Sequence, residues 1–261
     1  MAKKFIAIWG SPNSGKTTLS IKIAREFSLN KENVLIIFCD YLCPVINTVL
    51  PYSKEHDKSI GNVLSSISLE RETIFENLIT IDKNKYIATL GYKQSENLYS
   101  YPEYSSERVV TFFNMLKKMD CFDYVIVDCS SYFLNDQLTT IALEMASDVI
   151  RTITPDPKSI SYFDSSLHLL IDQAFDISKH RPVLSIVRES DAINDIEEVY
   201  NIKNEICYLE EVREQFLCGE LFSELVSKRK KIYNNQIKNI VSLISNQELK
   251  EKNRFFRKGK N

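Results

Sequence analysis

Gly10-Ser11-Pro12-Asn13-Ser14-Gly15-Lys16-Thr17-Thr18 fits the pattern G-x-x-x-x-G-K-[ST] at every specified position. The run before it, Lys4-Phe5-Ile6-Ala7-Ile8-Trp9, is an apolar strand candidate, and Leu19 to Phe27 after it repeats its apolar residues at helical spacing. Strand, loop and helix thus come in the order that a phosphate-binding loop needs. A nucleoside triphosphate brings several negative charges, and backbone N–H groups gathered at a helix N-terminus hold them without side-chain rearrangement. In that frame the backbone from Gly10 through Ser11, Pro12, Asn13 and Ser14 to Gly15 forms the cradle, with Thr18 closing it. Gly15 lets the chain approach closely, Lys16 reaches the β- and γ-phosphates, and the Thr17 hydroxyl completes the shell of a Mg²⁺ ion. A glycine-containing turn that matches by chance is the alternative, and the flanking strand and helix speak against it.

A chain of 261 residues, 44% hydrophobic and 26% charged, has room for one large α/β domain with a well-buried core. Its net charge of −2 says nothing about partners. The six cysteines (Cys39, Cys43, Cys121, Cys129, Cys207 and Cys218) form no C-x-x-C pair. They read as small buried hydrophobes in a reducing compartment rather than as a metal site. The apolar run after Met1-Ala2-Lys3-Lys4 is too short for a signal peptide, and no run reaches membrane-spanning length, so a cytoplasmic location is expected.

Asn33 to Asp40 is a continuous apolar run ending in a carboxylate, the pattern of a parallel strand buried on both faces. Asp40 would emerge on the same rim as the phosphate loop. There it either serves a magnesium ion or an attacking water, or is an ordinary turn or capping aspartate. Ser59–Ile67 and Glu70–Ile79 read as short helices, Lys85–Gly91 as a strand, and Ser106–Lys118 as a helix. The tyrosine-rich stretch Tyr92–Tyr104 invites a base-stacking role, but its little positive charge favours a plain loop. Phe122-Asp123-Tyr124-Val125-Ile126-Val127-Asp128 is a second buried strand whose final carboxylate is placed to hold Mg²⁺ through water opposite Thr17. Leu134–Met145 then reads as a helix, Ser147–Thr154 as a strand, and the stretch to about Phe175 as one long helix. A strand at Pro182–Val187, a helix at Ile193–Lys203, a short strand at Glu205–Leu209 and terminal helices follow. Alternating strands and helices predict an α/β fold: three layers around a mainly parallel twisted sheet, the P-loop NTPase fold.

The order of the phosphate loop, the strand ending in Asp40, "FDYVIVDCSS" and "ASDVIRTITPDPKSI" resembles the ParA/MinD-type ATPases, of the SIMIBI class, over roughly residues 3 to 220. The resemblance implies ATP and ADP as ligands with Mg²⁺, Lys16 and Thr17 on phosphate and metal, Asp40 activating water, and Asp128 on the magnesium shell. It also implies an ATP-dependent homodimer that positions or partitions a partner. Several positions depart from the family pattern. Ser11 stands where the family has a second lysine, and Pro12 and Asn13 replace two glycines. Losing a cation donated across the dimer predicts slow hydrolysis or a different stimulus. Arg188 or its neighbour replaces the base-contacting asparagine, and Ile206-Cys207 stands for "IP". Such departures resemble the atypical TadZ/CpaE-like branch of localisation factors.

From Lys228 onward eleven basic side chains face only Glu248 and Glu251. Ile237, Ile240, Val241 and Ile244 fall on one helical face, which favours a last helix packed on the sheet. Residues 1–246 are therefore read as the ATPase domain and 247–261 as a basic tail suited to anionic membrane or DNA. Slow ATP hydrolysis that resets a positioning switch is the leading function. A nucleotide-binding scaffold of TadZ type and a small-molecule phosphotransferase are the alternatives. A GTPase fits less well, because the chain has no N-K-x-D or T-K-x-D box.

Overall fold

The structure, a computed structural model, describes residues 2–55, 57–82, 84–97, 99–133, 136–171 and 173–258, with residues 171 and 246–258 described by backbone alone. Strand β1 (Lys4–Gly10) has every residue buried, because helices cover it on both sides. It lies between β5 (Tyr124–Asp128) and β6 (Asp148–Ile153) in an eight-stranded sheet. The remaining strands are β2 (Val34–Phe38), β3 (Ile79–Thr80), β4 (Ile87–Gly91), β7 (His180–Val187) and β8 (Glu205–Cys207), and the spatial order is β3-β4-β2-β5-β1-β6-β7-β8. All neighbours are parallel except β3, which runs antiparallel to β4 at the edge. The predicted three-layer α/β P-loop NTPase fold is therefore the observed one.

Period-two alternation divides the strand side chains between two cores. Phe5, Ala7, Trp9, Leu35, Ile37, Val125 and Val127 point to one face, where they meet Phe112 and Phe113 of α5 (Ser106–Lys118) and Leu138 and Ile141 of α6 (Gln137–Met145). Ile6, Ile8, Ile36, Phe38 and Ile126 point to the other, against α1 (Lys16–Leu29) and α10 (Lys230–Lys258). Ile237, Ile240 and Ile244 of α10 are buried there, which accounts for its apolar stripe as packing. The basic side chains expected of the tail from Lys250 onward, and residues 259–261 entirely, lie outside the described residues.

Boundaries follow local chemistry. Ser105 caps α5 by accepting from the Arg108 N–H, with Glu107 in the first turn and Lys117 and Lys118 in the last, as the helix dipole favours. The helix expected to reach Phe175 stops early, as α7 (Pro157–Leu167), and gives way to 3₁₀ turns at Leu169–Ile171, Gln173–Phe175 and Ile177–Lys179. Leu170 and Phe175 are both buried, and a spacing of five cannot hold one face of an α-helix. The helix expected over Glu70–Ile79 is α4 (Arg71–Glu76) followed by β3, a strand too short to leave a pattern.

The tyrosine-rich stretch is structural where it is described. Buried Glu96 accepts from Ser59 Oγ at 2.6 Å, from the Lys93 N–H at 2.9 Å and from Tyr101 Oη, tying this loop to α3 (Ile60–Ser65). The expectation of six buried cysteines is corrected: Cys39 and Cys129 are buried, but Cys43, Cys121 and Cys218 are exposed and Cys207 half-buried. The last four follow turns or helix and strand ends, where the sheet no longer shields them.

One buried cation sits away from the loop. Arg151 of β6 is 7% exposed and lies 4.5 Å over the Phe163 ring, and its Nε and Nη1 have no partner among the described residues. Burial lowers its pKa to about 10. A buried charge with two orphaned donors destabilises a fold. Arg151→Met is expected to stabilise the protein by about 1–2 kcal/mol, read as a rise in thermal midpoint; a fall would contradict this account.

Candidate functional site

The site grows from the turn between β1 and α1. Gly15 takes φ 79° and Asn13 φ 61°, left-handed conformations that Gly and Asn tolerate best. This curls the loop so that the chain enters α1 with no side-chain cap and no acidic residue in its first turn. The uncapped N–H groups are the feature that suits an anion. Gly10 is needed for closeness: a Cβ there would stand 2.1 Å from the Thr152 carbonyl oxygen. Gly10→Ala is therefore expected to cost about 3 kcal/mol, measurable by denaturant unfolding, and an unchanged midpoint would refute the close approach.

Hydroxyl groups lock the loop to the strands beside it. Ser14 Oγ donates to the Ser11 carbonyl at 2.7 Å and lies 2.6 Å from Thr152 Oγ1 on β6. Ser11 Oγ is 2.6 Å from Ser159 Oγ on α7, and Ser185 Oγ of β7 donates to the Ser14 carbonyl at 2.6 Å. Ile186, next to Ser185, holds φ 59°, a conformation that a β-branched residue adopts only under constraint. It sits where the β7–β8 register shifts, with its side chain against Gly15.

Asp128 and the loop converge. Thr17 Oγ1 donates to Asp128 Oδ2 at 2.6 Å, and Ser20 Oγ donates to Oδ1 at 3.2 Å. Lys16 Nζ donates to the Ser11 carbonyl at 3.0 Å and to Ser131 Oγ at 2.6 Å. Burial raises the Asp128 carboxyl to about 6, against the opposing pull of the Thr17 bond and the Lys16 charge. Burial likewise lowers Lys16, while the Asp128 and Asp40 charges oppose it. Nearby Asp136, which caps α6 by accepting from the Leu138 N–H and from Thr139 Oγ1, is raised by burial to about 7. Hard oxygens from Thr17 and Asp128 beside an ammonium are the donor set that a magnesium-bound phosphate chain fits.

Asp40 shares this rim, since Phe38 pairs with Asp128 across β2 and β5 and Asp40 follows two residues later. Its Oδ1 accepts from the Leu42 and Cys43 N–H groups, both at 2.9 Å, so one oxygen is engaged in a local turn. Arg188 lies on the opposite side of β1. There Pro12, Asn13, Asp156, Lys158, Ile186 and Arg188 help line a cavity of about 620 Å³, and the Arg188 guanidinium stands 4.9 Å over the Tyr208 ring. The expected residues thus form two groups: Lys16, Thr17, Asp40 and Asp128 toward β5 and β2, and Ser11 to Asn13 with Arg188 toward β6 and β7. Sequence reasoning did not single out Ser131, Thr152, Ser159 or Ser185. Nothing but proximity to Asp128 marked Ser131 in the chain.

A glycine-bearing loop leading from the central strand into an uncapped helix, with a strand-end carboxylate beside it, defines the P-loop NTPase fold. Among solved structures the chain is similar to those of ParA and MinD ATPases. A ParA-family ATPase from Chlorobium tepidum TLS matches with a TM-score of 0.74 at 18% identity, covering 92% of this chain and 98% of that one. A putative plasmid partition protein from Borrelia burgdorferi B31, bound to AMPPNP, matches at 0.72 and 16% identity, covering 93% and 100%. The septum site-determining protein MinD from Pyrococcus horikoshii OT3, complexed with Mg-ADP, matches at 0.72 and 16% identity, covering 92% and 97%. The resemblance read from the motifs is therefore matched in three dimensions, as a shared fold. No family model matches the sequence, and no curated protein matches it.

Proposed function

We propose that the chain is an ATP-binding nucleotide switch of the ParA/MinD kind, whose bound nucleotide controls where a partner is positioned. The observation that carries this reading is the 2.6 Å bond from Thr17 to Asp128, made beside the Lys16 ammonium at the mouth of an uncapped helix. The loop N–H groups and Lys16 would hold the phosphates, and Thr17 and Asp128 would hold Mg²⁺. When bound, the metal neutralises charge between the terminal phosphates. Asp40, whose second carboxylate oxygen accepts no bond among the described residues, is available to orient water. The cavity beside Arg188 is wide enough for a base and sugar, and the exposed face of that guanidinium offers a stacking surface. The AMPPNP and Mg-ADP carried by two of the similar structures agree with this choice of ligand.

Hydrolysis is slow in this reading, because Ser11 brings no cation to the developing charge and half of the Asp40 carboxylate is engaged in a turn. The switch works as a homodimer in the cytoplasm. Residues 1–246 form the ATPase domain, and the basic tail from 247 to 261 meets DNA or anionic membrane. Among the described residues no helix is long and apolar enough to cross a membrane. The engaged Asp40 favours one second reading, a nucleotide-binding scaffold of TadZ type that localises without turnover. A single-turnover assay with γ-labelled ATP separates these. Phosphate release lost in Asp40→Ala supports the switch, tight binding without release supports the scaffold, and label on an acceptor other than water supports a phosphotransferase.

A further inference from the structure

Ser131 lies 115 residues from Lys16 in the chain, yet its Oγ accepts a 2.6 Å bond from the Lys16 ammonium. Lys16 also donates to the Ser11 carbonyl, so two of its three N–H donors are used within the protein and one is left. Ser131 is in the complementary position. Its oxygen accepts from Lys16, and its own proton has no acceptor among the described residues. The result is two free donors, an N–H and an O–H, on atoms separated by about the spacing of two oxygens on one phosphoryl group.

The hydroxyl is also held in place. Tyr162 Oη donates to the Ser131 carbonyl, and the Tyr162 ring is fixed 5.7 Å from the Trp9 ring of β1. On one side the Ser130 N–H donates to Thr139 Oγ1 at 2.9 Å, and Thr139 Oγ1 in turn donates to Asp136. On the other, the Phe133 ring lies edge-on to Trp9 with centroids 5.0 Å apart. These contacts anchor the segment to β1, α6 and α7, so the donor is pre-organised and little entropy opposes its use.

We propose that Ser131 is a specificity-determining residue that reads the terminal phosphoryl group, donating to a γ-phosphate oxygen while Lys16 donates to its neighbour. This rests on the nucleotide-binding reading above and adds to it the means by which triphosphate is told from diphosphate. A diphosphate has no oxygen at that position, so the Ser131 donor counts only toward ATP. Because it binds a charged oxygen, its loss carries the larger penalty of a charge-assisted bond.

The test is calorimetric titration of wild type, Ser131→Ala and Ser131→Thr with AMPPNP and with ADP, each with Mg²⁺. In Ser131→Ala the AMPPNP affinity is expected to fall about tenfold while ADP affinity stays within about twofold. Ser131→Thr, which keeps the hydroxyl, restores the preference. An unchanged ratio in Ser131→Ala overturns the proposal, as does an equal loss toward both nucleotides, which marks a merely structural role. If wild type binds neither, the nucleotide-binding reading itself fails and takes this one with it.

Discussion

Lys16→Ala is expected to lower ATP affinity by at least about a hundredfold, because the ammonium is the cation of the loop and a charge-assisted contact to phosphate is among the strongest single polar contacts. The loss should come without unfolding. The Lys16 ammonium bonds only to a carbonyl and a hydroxyl among the described residues, and burial already disfavours its charge. Removing it withdraws the favourable charge that holds Asp128 down, so that carboxyl should rise further above about 6. Titration with a fluorescent ATP analogue, beside a thermal melt, separates the two effects. Binding within threefold of wild type in a folded Lys16→Ala protein would remove the loop from the account.

Asp128→Asn should change stability and binding in opposite directions. The carboxyl of Asp128 titrates near 6 in the folded chain against 3.8 for an ordinary aspartate, with burial the leading cause. Between those values the folded state binds more protons than the unfolded one, so stability falls as pH rises through this window and the full cost is present above 6. A shift of that size corresponds to about 3 kcal/mol, of which a neutral side chain recovers part, since Thr17 and Ser20 both donate and Asn offers one acceptor oxygen. Asp128→Asn should therefore be more stable than wild type by about 2 kcal/mol at pH 7.5, with the gain gone below pH 3.8. Its magnesium-dependent ATP binding should drop about tenfold or more. Denaturant melts at several pH values decide the first half, and a variant less stable than wild type at pH 7.5 would show that Asp128 is not held at a cost. Such a trade is what a functional carboxylate buried for its task is expected to show.

Much of this was visible in the chain, and the reason is local. The phosphate loop, the fully apolar strands and the carboxylate closing "YVIVD" are each written in consecutive residues, so their types and order could be read before any contact was known. Parallel strands buried on both faces leave continuous apolar runs, which is why β1, β2, β5 and β6 fell close to their expected bounds. What stayed hidden was long-range. The Lys16–Ser131 bond, the Ser11–Ser159 pair and the strained Ile186 against Gly15 each join segments more than a hundred residues apart. The two-residue β3 was too short for any period to show. The end of α7 depended on both Leu170 and Phe175 being buried, which only the packed chain reveals. Asp40 was legible as a rim carboxylate, but its engagement with Leu42 and Cys43 is a matter of turn geometry.

The departures at Ser11, Pro12 and Asn13 also gain a physical meaning. These residues do not leave the loop slack: Ser11 and Ser14 fasten it to α7 and β6, and Ser185 fastens it to β7. At Ser11 a hydroxyl contact stands where the resemblance expects a second cation.

Lys16, Thr17 and Asp128 are placed to meet on one magnesium-bound triphosphate. Calorimetry of the full chain with ATP, in the presence of Mg²⁺ and again with EDTA, reads this convergence. Saturable binding at one site per chain is expected, weakening at least about tenfold when magnesium is withdrawn; no heat in either titration, or binding indifferent to magnesium, would refute it.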